Sequence, residues 1–146
     1  MVIYMNINKN IIEQLNKEVE ESIKLDEIPI GAVVFKSDDQ SIVASGHNTR
    51  QSDHNVLGHA EVNAILAAEK KINDWRLDGY SMIVSLKPCE MCSTVIKESR
   101  LDRIYYILNS NYIGVGNNDD FVKVDYFPEE EKMYDEYLKI FFHKKR

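Results

Sequence analysis

Hydrophobic residues recur along the chain with two spacings, one typical of helices and one of strands. Between Lys9 and Lys24 the apolar positions keep the spacing of an amphipathic helix, and Asn8 precedes them as an N-cap. Later apolar runs are short, β-rich and bounded by turn-forming residues. The pattern predicts strands at 30–36, 41–46, 80–86, 103–108 and, more weakly, 122–127, with further helices at 59–71, at 90–100 and from Pro128 onward.

This order of elements predicts an α/β fold. The turn Ser37-Asp38-Asp39 joins the first two strands, which therefore form an antiparallel hairpin. Strands that are joined by a helix should instead be parallel, with a right-handed crossover. Alternating strands and helices place helices on both faces of one sheet. We therefore expect a three-layer α/β/α sandwich with a central mixed five-stranded sheet, as a single domain over residues 1–146.

The composition is that of a globular protein with a core of ordinary size, since 44% of the residues are hydrophobic and 29% are charged. Apolar runs such as 30–35 are far too short to cross a membrane. The first twenty residues include Asn, Lys and Glu and do not resemble a signal peptide. We therefore expect a cytoplasmic protein with no membrane partner.

The net charge of −6 argues against a large nucleic-acid footprint, because most nucleic-acid binders are basic. One strongly basic cluster closes the sequence, His143-Lys144-Lys145-Arg146. Such a cluster fits a solvated helix end, where cations complement the helix dipole. It equally fits a small local contact with phosphates.

The two cysteines, Cys89 and Cys92, form a Cys-x-x-Cys pair. In a cytosolic chain this spacing indicates a metal half-site or a redox pair more often than a structural disulfide. A second motif, His59-Ala60-Glu61, opens another predicted helix. One histidine and two cysteines supply the three protein ligands of a catalytic zinc ion, whose fourth position stays open.

The combination of the two motifs is much more specific than either alone. A redox pair would give His59 no role, and a structural zinc site would need a fourth ligand that the other histidines do not obviously provide. Glu61 lies two residues beyond His59, in the first helical turn, and can reach the attacking water without binding the metal. His-x-Glu followed by Pro-Cys-x-x-Cys, each opening a helix, is the signature of zinc-dependent base deaminases.

With these motifs the chain resembles the cytidine-deaminase-like superfamily, and within it the bacterial tRNA adenosine deaminases that convert the wobble adenosine to inosine. Residues 28–34 are similar to the first strand of that family, and 46–48 to the end of its second strand. Residues 99–104 are similar to the segment that enters its fourth strand. Residues 138–146 are similar to its last helix, in which two adjacent Phe precede basic residues.

The resemblance implies a zinc-dependent hydrolytic deaminase with one Zn²⁺ per chain, held by His59, Cys89 and Cys92, and with Glu61 as the catalytic proton shuttle. It also implies a tRNA anticodon loop as partner and a homodimer that pairs through helices near the zinc site. Met91, Val95 and Ile96 could serve that pairing or could simply pack on the sheet. The substrate-binding residues that the resemblance implies are Asn48, Ala60, Phe142, Lys144, Lys145 and Arg146.

Four departures from the family pattern keep a second function open. Residues 55–58 replace the usual Asp-Pro-Thr-Ala, and Lys87 replaces an acidic residue before Pro-Cys. Tyr112 stands where the family has Lys, and the loop that ends in 117–121 is short. The alternative is a deaminase of a free base or nucleoside, of the guanine or cytidine type. The intact zinc motif argues against a catalytically silent binding protein.

Overall fold

The computed structural model describes residues 6–109 and 120–144. Within them, four helices and five strands follow one another in the predicted α-β-β-α-β-α-β-β-α order. The helices and strands are α1 (Lys9–Lys24), β1 (Gly31–Lys36), β2 (Ile42–His47), α2 (Ala60–Ile72), β3 (Tyr80–Leu86), α3 (Glu90–Glu98), β4 (Ile104–Leu108), β5 (Val122–Lys123) and α4 (Pro128–Lys144).

The strands form one mixed sheet in the order β2-β1-β3-β4-β5. β1 is antiparallel to both of its neighbours, β2 and β3, whereas β3, β4 and β5 are parallel to one another. The hairpin and the parallel crossover through α3 are therefore as predicted. The crossover through α2 passes over β1, so that β2 and β3 run in the same direction without pairing.

Helices cover both faces of this sheet. Gly31 faces α1, whereas its neighbour Ala32 pairs with Gly46, which faces α2. α3 packs beside α2 on that second face. α4 lies with α1 on the first face, where the Tyr134 hydroxyl donates a hydrogen bond to Asn16 Oδ1. The α/β/α sandwich with a central mixed five-stranded sheet is confirmed.

Local chemistry explains most of the element boundaries. α1 begins where predicted because the Asn8 side chain accepts a hydrogen bond from the Ile11 amide. α3 ends two residues earlier than predicted, since Arg100 adopts a left-handed backbone with φ of 64°. The largest difference is β5, predicted over 122–127 but only two residues long. Val124 donates one further backbone hydrogen bond to Tyr106, and the chain then turns towards α4.

The topology brings the carboxyl ends of two strands to the same edge of the sheet, where functional side chains can lie close together. β2 and β3 end at the same edge, and each leads through a connecting segment into a helix, α2 or α3. Ligands of α/β sheets bind beyond the carboxyl ends of such strands. No helix in the described part of the chain is long and apolar enough to cross a membrane.

Candidate active site

The first half of the site opens α2. His59 occupies the N-cap position with extended backbone, and its side chain makes no capping hydrogen bond, which leaves the imidazole available for another partner. Ala60 and Glu61 are the first two helical residues and are both buried.

The second half opens α3. Cys89 is the N-cap and Cys92 lies in the first turn; neither is in a disulfide. Cys92 is fully buried and Cys89 is half-buried. Ser93 fixes this turn, because both its amide and its hydroxyl donate to the Cys89 carbonyl. The helix N-terminus favours negative charge on the thiols.

The donor atoms of His59, Cys89 and Cys92 lie within 4.8 Å of one another. His59 Nδ1 is 3.4 Å from Cys92 Sγ and 3.8 Å from Cys89 Sγ. Zinc in a tetrahedral site bonds sulfur at about 2.3 Å and nitrogen at about 2.0–2.1 Å, which separates such donors by about 3.6 Å. The three side chains therefore fit one zinc ion, and the predicted ligand set is brought together.

The electrostatics of the cluster fit the same donor set. Hydrogen bonds from Cys92 and His59 lower the pKa of the Cys89 thiol to about 4. The hydrogen bond to Cys89, together with burial, raises the pKa of Cys92. The hydrogen bond with Cys89 raises the pKa of His59, while burial and the charge of Arg50 oppose that rise. A cation between these groups would favour both thiolates and a neutral imidazole.

Glu61 is buried beside the ligands, with 4% of its surface exposed. Burial, assisted by the neighbouring Cys89 thiolate, raises the pKa of its carboxyl to about 7. A carboxyl that titrates near neutral pH can both accept and donate a proton, as a general acid–base catalyst must.

The start of α2 is held against the end of β2 by close packing. A Cβ atom on Gly46 would lie 2.7 Å from the Ala64 amide nitrogen and 2.9 Å from the Ala60 carbonyl oxygen. The Asn63 amide nitrogen donates to the His47 carbonyl and to the Thr49 hydroxyl, at 2.8 Å each. These contacts fix the helix that carries His59 and Glu61.

A small pocket of about 70 Å³ lies over the site and is lined by His59, Glu61 and Cys89. Its walls include two of the predicted substrate-binding residues, Asn48 and Ala60, together with two cationic side chains, Arg50 and Lys87. Asn48 is buried, and its side-chain oxygen accepts a hydrogen bond from the Arg50 amide. Its amide nitrogen is thus the group that can donate to a ligand.

The structure adds Arg50 to the site. Its place there could not be predicted from the sequence, because it depends on the folding of the loop after β2. Buried Glu27 holds that loop: its carboxylate accepts hydrogen bonds from the amides of Gln51 and Ser52 and from the Ser52 hydroxyl. Gln51 and Ser52 carry no motif that could have indicated this contact.

A second cavity adjoins the catalytic pocket and shares Ile28, Asn48 and Arg50 with it. Phe141 of α4 forms part of its wall, whereas Phe142 packs against the hydrophobic core. Of the two adjacent aromatic residues, Phe142, which is predicted from the sequence to bind substrate, is the one that packs inward.

The structure describes only one of the three basic residues that are predicted to bind substrate. Lys144 is exposed near the end of α4. Lys145 and Arg146 lie outside the described residues, as do Tyr112 and most of the loop that it belongs to.

The family comparison agrees with this geometry. Residues 5–108 match the family described as the cytidine and deoxycytidylate deaminase zinc-binding region. The chain belongs to this family, and the zinc site predicted for it is therefore one that the family shares.

Curated relatives include two bacterial proteins named tRNA-specific adenosine deaminase. The protein from Rickettsia felis is 38% identical over 95 residues, which are 65% of this chain and 66% of the relative. The protein from Streptococcus pyogenes serotype M18 is 35% identical over 103 residues, which are 70% of this chain and 64% of the relative. The aligned segment thus spans slightly less than two thirds of each relative.

Two solved structures have similar folds. A structure from a study of A-to-I editing by tRNA:A34 deaminases has a TM-score of 0.76 and 26% identity, covering 87% of this chain and 99% of that one. Guanine deaminase from Bacillus subtilis has a TM-score of 0.64 and 30% identity, covering 72% of this chain and 66% of that one.

Proposed function

We propose that residues 1–146 act as one zinc-dependent deaminase domain that converts adenosine to inosine at the wobble position of a tRNA anticodon. The observation that carries the deaminase chemistry is the set of three ligand atoms within 4.8 Å of one another beside a buried carboxyl, Glu61. The curated relatives named above and the solved tRNA:A34 deaminase support the choice of substrate.

The proposed reaction is hydrolytic. When bound, zinc lowers the pKa of water enough for attack near neutral pH. Glu61 accepts a proton from the water as its oxygen bonds to C6, and delivers that proton to the ring nitrogen N1. It then passes the second proton of the water to the amino group, so that the C6–N bond breaks and ammonia leaves a C6 carbonyl. Its raised pKa, about 7, suits both transfers.

Asn48 and Ala60 would orient the base. The amide nitrogen of Asn48 can donate to an acceptor on the base, since its oxygen is already occupied by the Arg50 amide. Ala60 is the first residue of α2, where backbone N–H groups have no partner within the helix. Both residues line the catalytic pocket, so they can contact a base that enters it.

The C-terminal helix α4 would contact the rest of the anticodon loop. Phe141 lines the cavity that adjoins the catalytic pocket, and Lys144 lies one turn further on. Unpaired loop bases stack on aromatic side chains, and lysines contact phosphates. We extend this role to Lys145 and Arg146, which follow directly in the sequence.

A deaminase of free guanine is the second candidate. Guanine deaminase from Bacillus subtilis is 30% identical to this chain and favours this alternative. The net charge of −6 is also easier to reconcile with a small neutral substrate than with RNA.

One experiment separates the two candidates. Zinc-loaded protein is incubated with an unmodified anticodon stem-loop carrying a wobble adenosine and, separately, with guanine, adenosine and cytidine. Inosine is measured by mass spectrometry of digested RNA, and ammonia release is measured in every sample. We expect inosine in the RNA and little release from the small molecules; rapid release from guanine without inosine in the RNA supports the second candidate.

We further propose that the protein is a homodimer that pairs through α2 and α3. These helices lie side by side on one face of the sheet. Leu66 on α2 is 57% exposed, and Met91 and Val95 on α3 are only partly covered, whereas Ile96 is in the core. Light scattering at micromolar concentration should give the mass of two chains; the mass of one chain would contradict this proposal.

We place this activity in the cytoplasm. Neither Cys89 nor Cys92 is in a disulfide, and cysteines kept available as zinc ligands suit a reducing compartment.

A further inference from the structure

Two cationic side chains stand on the wall of the catalytic pocket, although the chain as a whole is acidic. Arg50 and Lys87 both line the pocket that contains His59 and Glu61. The chain carries a net charge of −6, so a concentration of positive charge at this place is not a consequence of composition.

Neither cation has an ion-pair partner within residues 6–109 and 120–144. Lys87 lies over the ring of Tyr106, with its ammonium 5.6 Å from the ring centroid. Two carboxylates border the neighbouring cavity, Asp26 and Glu27, and that of Glu27 is already bound by the amides of the following loop.

The backbone of Arg50 is held in place from two sides. Its amide donates to the Asn48 side chain, and its carbonyl accepts from the Asn55 amide at 3.1 Å. Gly58 permits this arrangement, since a Cβ atom there would lie 2.9 Å from both the Arg50 nitrogen and its Cα atom. The Thr49 amide further donates to the Gly58 carbonyl at 2.8 Å. Arg50 is therefore positioned by a packed loop at the boundary between the two cavities.

We propose that Arg50 and Lys87 bind the phosphate groups that flank the target nucleotide. This inference rests on the proposed function and assigns the substrate class more narrowly, as a base within a phosphorylated nucleotide rather than a free base. The arginine supplies a planar set of donors for phosphate oxygens, and the lysine supplies a point charge. Arg50 lies where the catalytic pocket meets the cavity bordered by Phe141, so an RNA chain that extends through this cavity would pass close to it.

The test compares charged and neutral linkages in the same RNA. Binding to the zinc-loaded Glu61→Gln protein, which should not turn over, is measured by fluorescence anisotropy. One anticodon stem-loop carries normal phosphates and the other carries methylphosphonates on both sides of the target adenosine. We expect about a tenfold preference for the normal RNA, and loss of that preference when Arg50→Met and Lys87→Met are added.

Salt dependence and a matched control sharpen the result. Each removed cation should lower the slope of log affinity against log salt by about 0.7, the value for one contact with single-stranded nucleic acid. Lys71→Met is the control, because Lys71 is exposed near the far end of α2, about 16 Å along the helix axis from its first residue. It should leave the preference unchanged.

Parallel arms separate this inference from the proposed function. Inosine formation by the wild-type protein tests the function, and affinities for inosine and its 5′-monophosphate test phosphate recognition without RNA. Formation of inosine together with equal affinity for charged and neutral linkages would overturn the assignment of Arg50 and Lys87 alone. A preference for the monophosphate without RNA deamination would support the phosphate assignment and make the substrate a free nucleotide. No preference in either ligand pair would refute the inference.

Discussion

Gly46→Ala should disturb the zinc site through packing alone, without touching a ligand. The added Cβ atom would lie 2.7 Å from the Ala64 amide nitrogen, while ordinary contacts begin near 3.4 Å, so α2 must retreat by about 0.7 Å. The atoms that it meets are mostly backbone of α2, which cannot rotate away. Overpacking of this kind costs about 1–3 kcal/mol of stability.

The same displacement moves His59 relative to Cys89 and Cys92. Supporting contacts around metal ligands are worth about 10–100-fold in metal affinity, and we expect a loss within that range. Zinc affinity is measured by competition with a chromophoric chelator, and stability by urea unfolding of the zinc-loaded protein.

Gly79→Ala is the matched control. Gly79 has open space where a Cβ atom would be, but its φ of 88° is unfavourable for alanine. It precedes β3, at the end of that strand remote from Cys89. The control should lose about 1–2 kcal/mol of stability through backbone strain and keep its zinc affinity. Wild-type zinc affinity in Gly46→Ala would refute the argument that close packing of α2 aligns the ligands.

Three further predictions follow from the site. Cys89→Ala and Cys92→Ala should each abolish stoichiometric zinc binding, because they remove one of three protein ligands; about one zinc per chain retained by either variant in metal analysis would contradict the site. Zinc affinity should fall by about tenfold or more per pH unit as the pH decreases from 8 to 6, because the Cys92 thiol has a raised pKa and must lose a proton when zinc binds. Affinity is measured by chelator competition, and an affinity that is independent of pH would contradict this prediction. Phe141→Ala should weaken stem-loop deamination about tenfold and leave the melting temperature nearly unchanged. Phe142→Ala should mainly lower the melting temperature. The reverse pattern would indicate that Phe142, not Phe141, contacts the substrate.

Elements determined by local chemistry could be predicted from the sequence. The helix Lys9–Lys24 has the expected bounds because its N-cap and its apolar spacing both lie within the segment. β5 could not be delimited in this way, since its pairing depends on where Tyr105 and Tyr106 of β4 lie after folding. The length of an edge strand depends on how many residues pair with the neighbouring strand, and the sequence of 122–127 does not indicate that number.

The same distinction separates the parts of the site. The zinc ligands, and the position of Glu61 beside them, could be predicted because two short motifs, each opening a helix, define the chemistry by residue type and spacing. Arg50 could not, because it reaches the pocket through a loop that Glu27 and Gly58 shape from distant parts of the sequence. The choice between Phe141 and Phe142 likewise depends on how α4 is rotated against the sheet, which two adjacent aromatic residues do not reveal.

In the proposed reaction, Glu61 transfers protons beside a zinc ion during deamination of a wobble adenosine. The most direct measurement is inosine formation in an anticodon stem-loop by wild-type protein and by Glu61→Gln, with zinc content determined in the same samples. We predict inosine at the wobble position with the wild type, and about one zinc per chain in both proteins. The rate of the variant should be lower by about 10²–10⁴-fold. A zinc-loaded variant that keeps more than about a tenth of the wild-type rate would contradict the role of Glu61. A wild-type protein that forms no inosine in the RNA would contradict the proposed substrate.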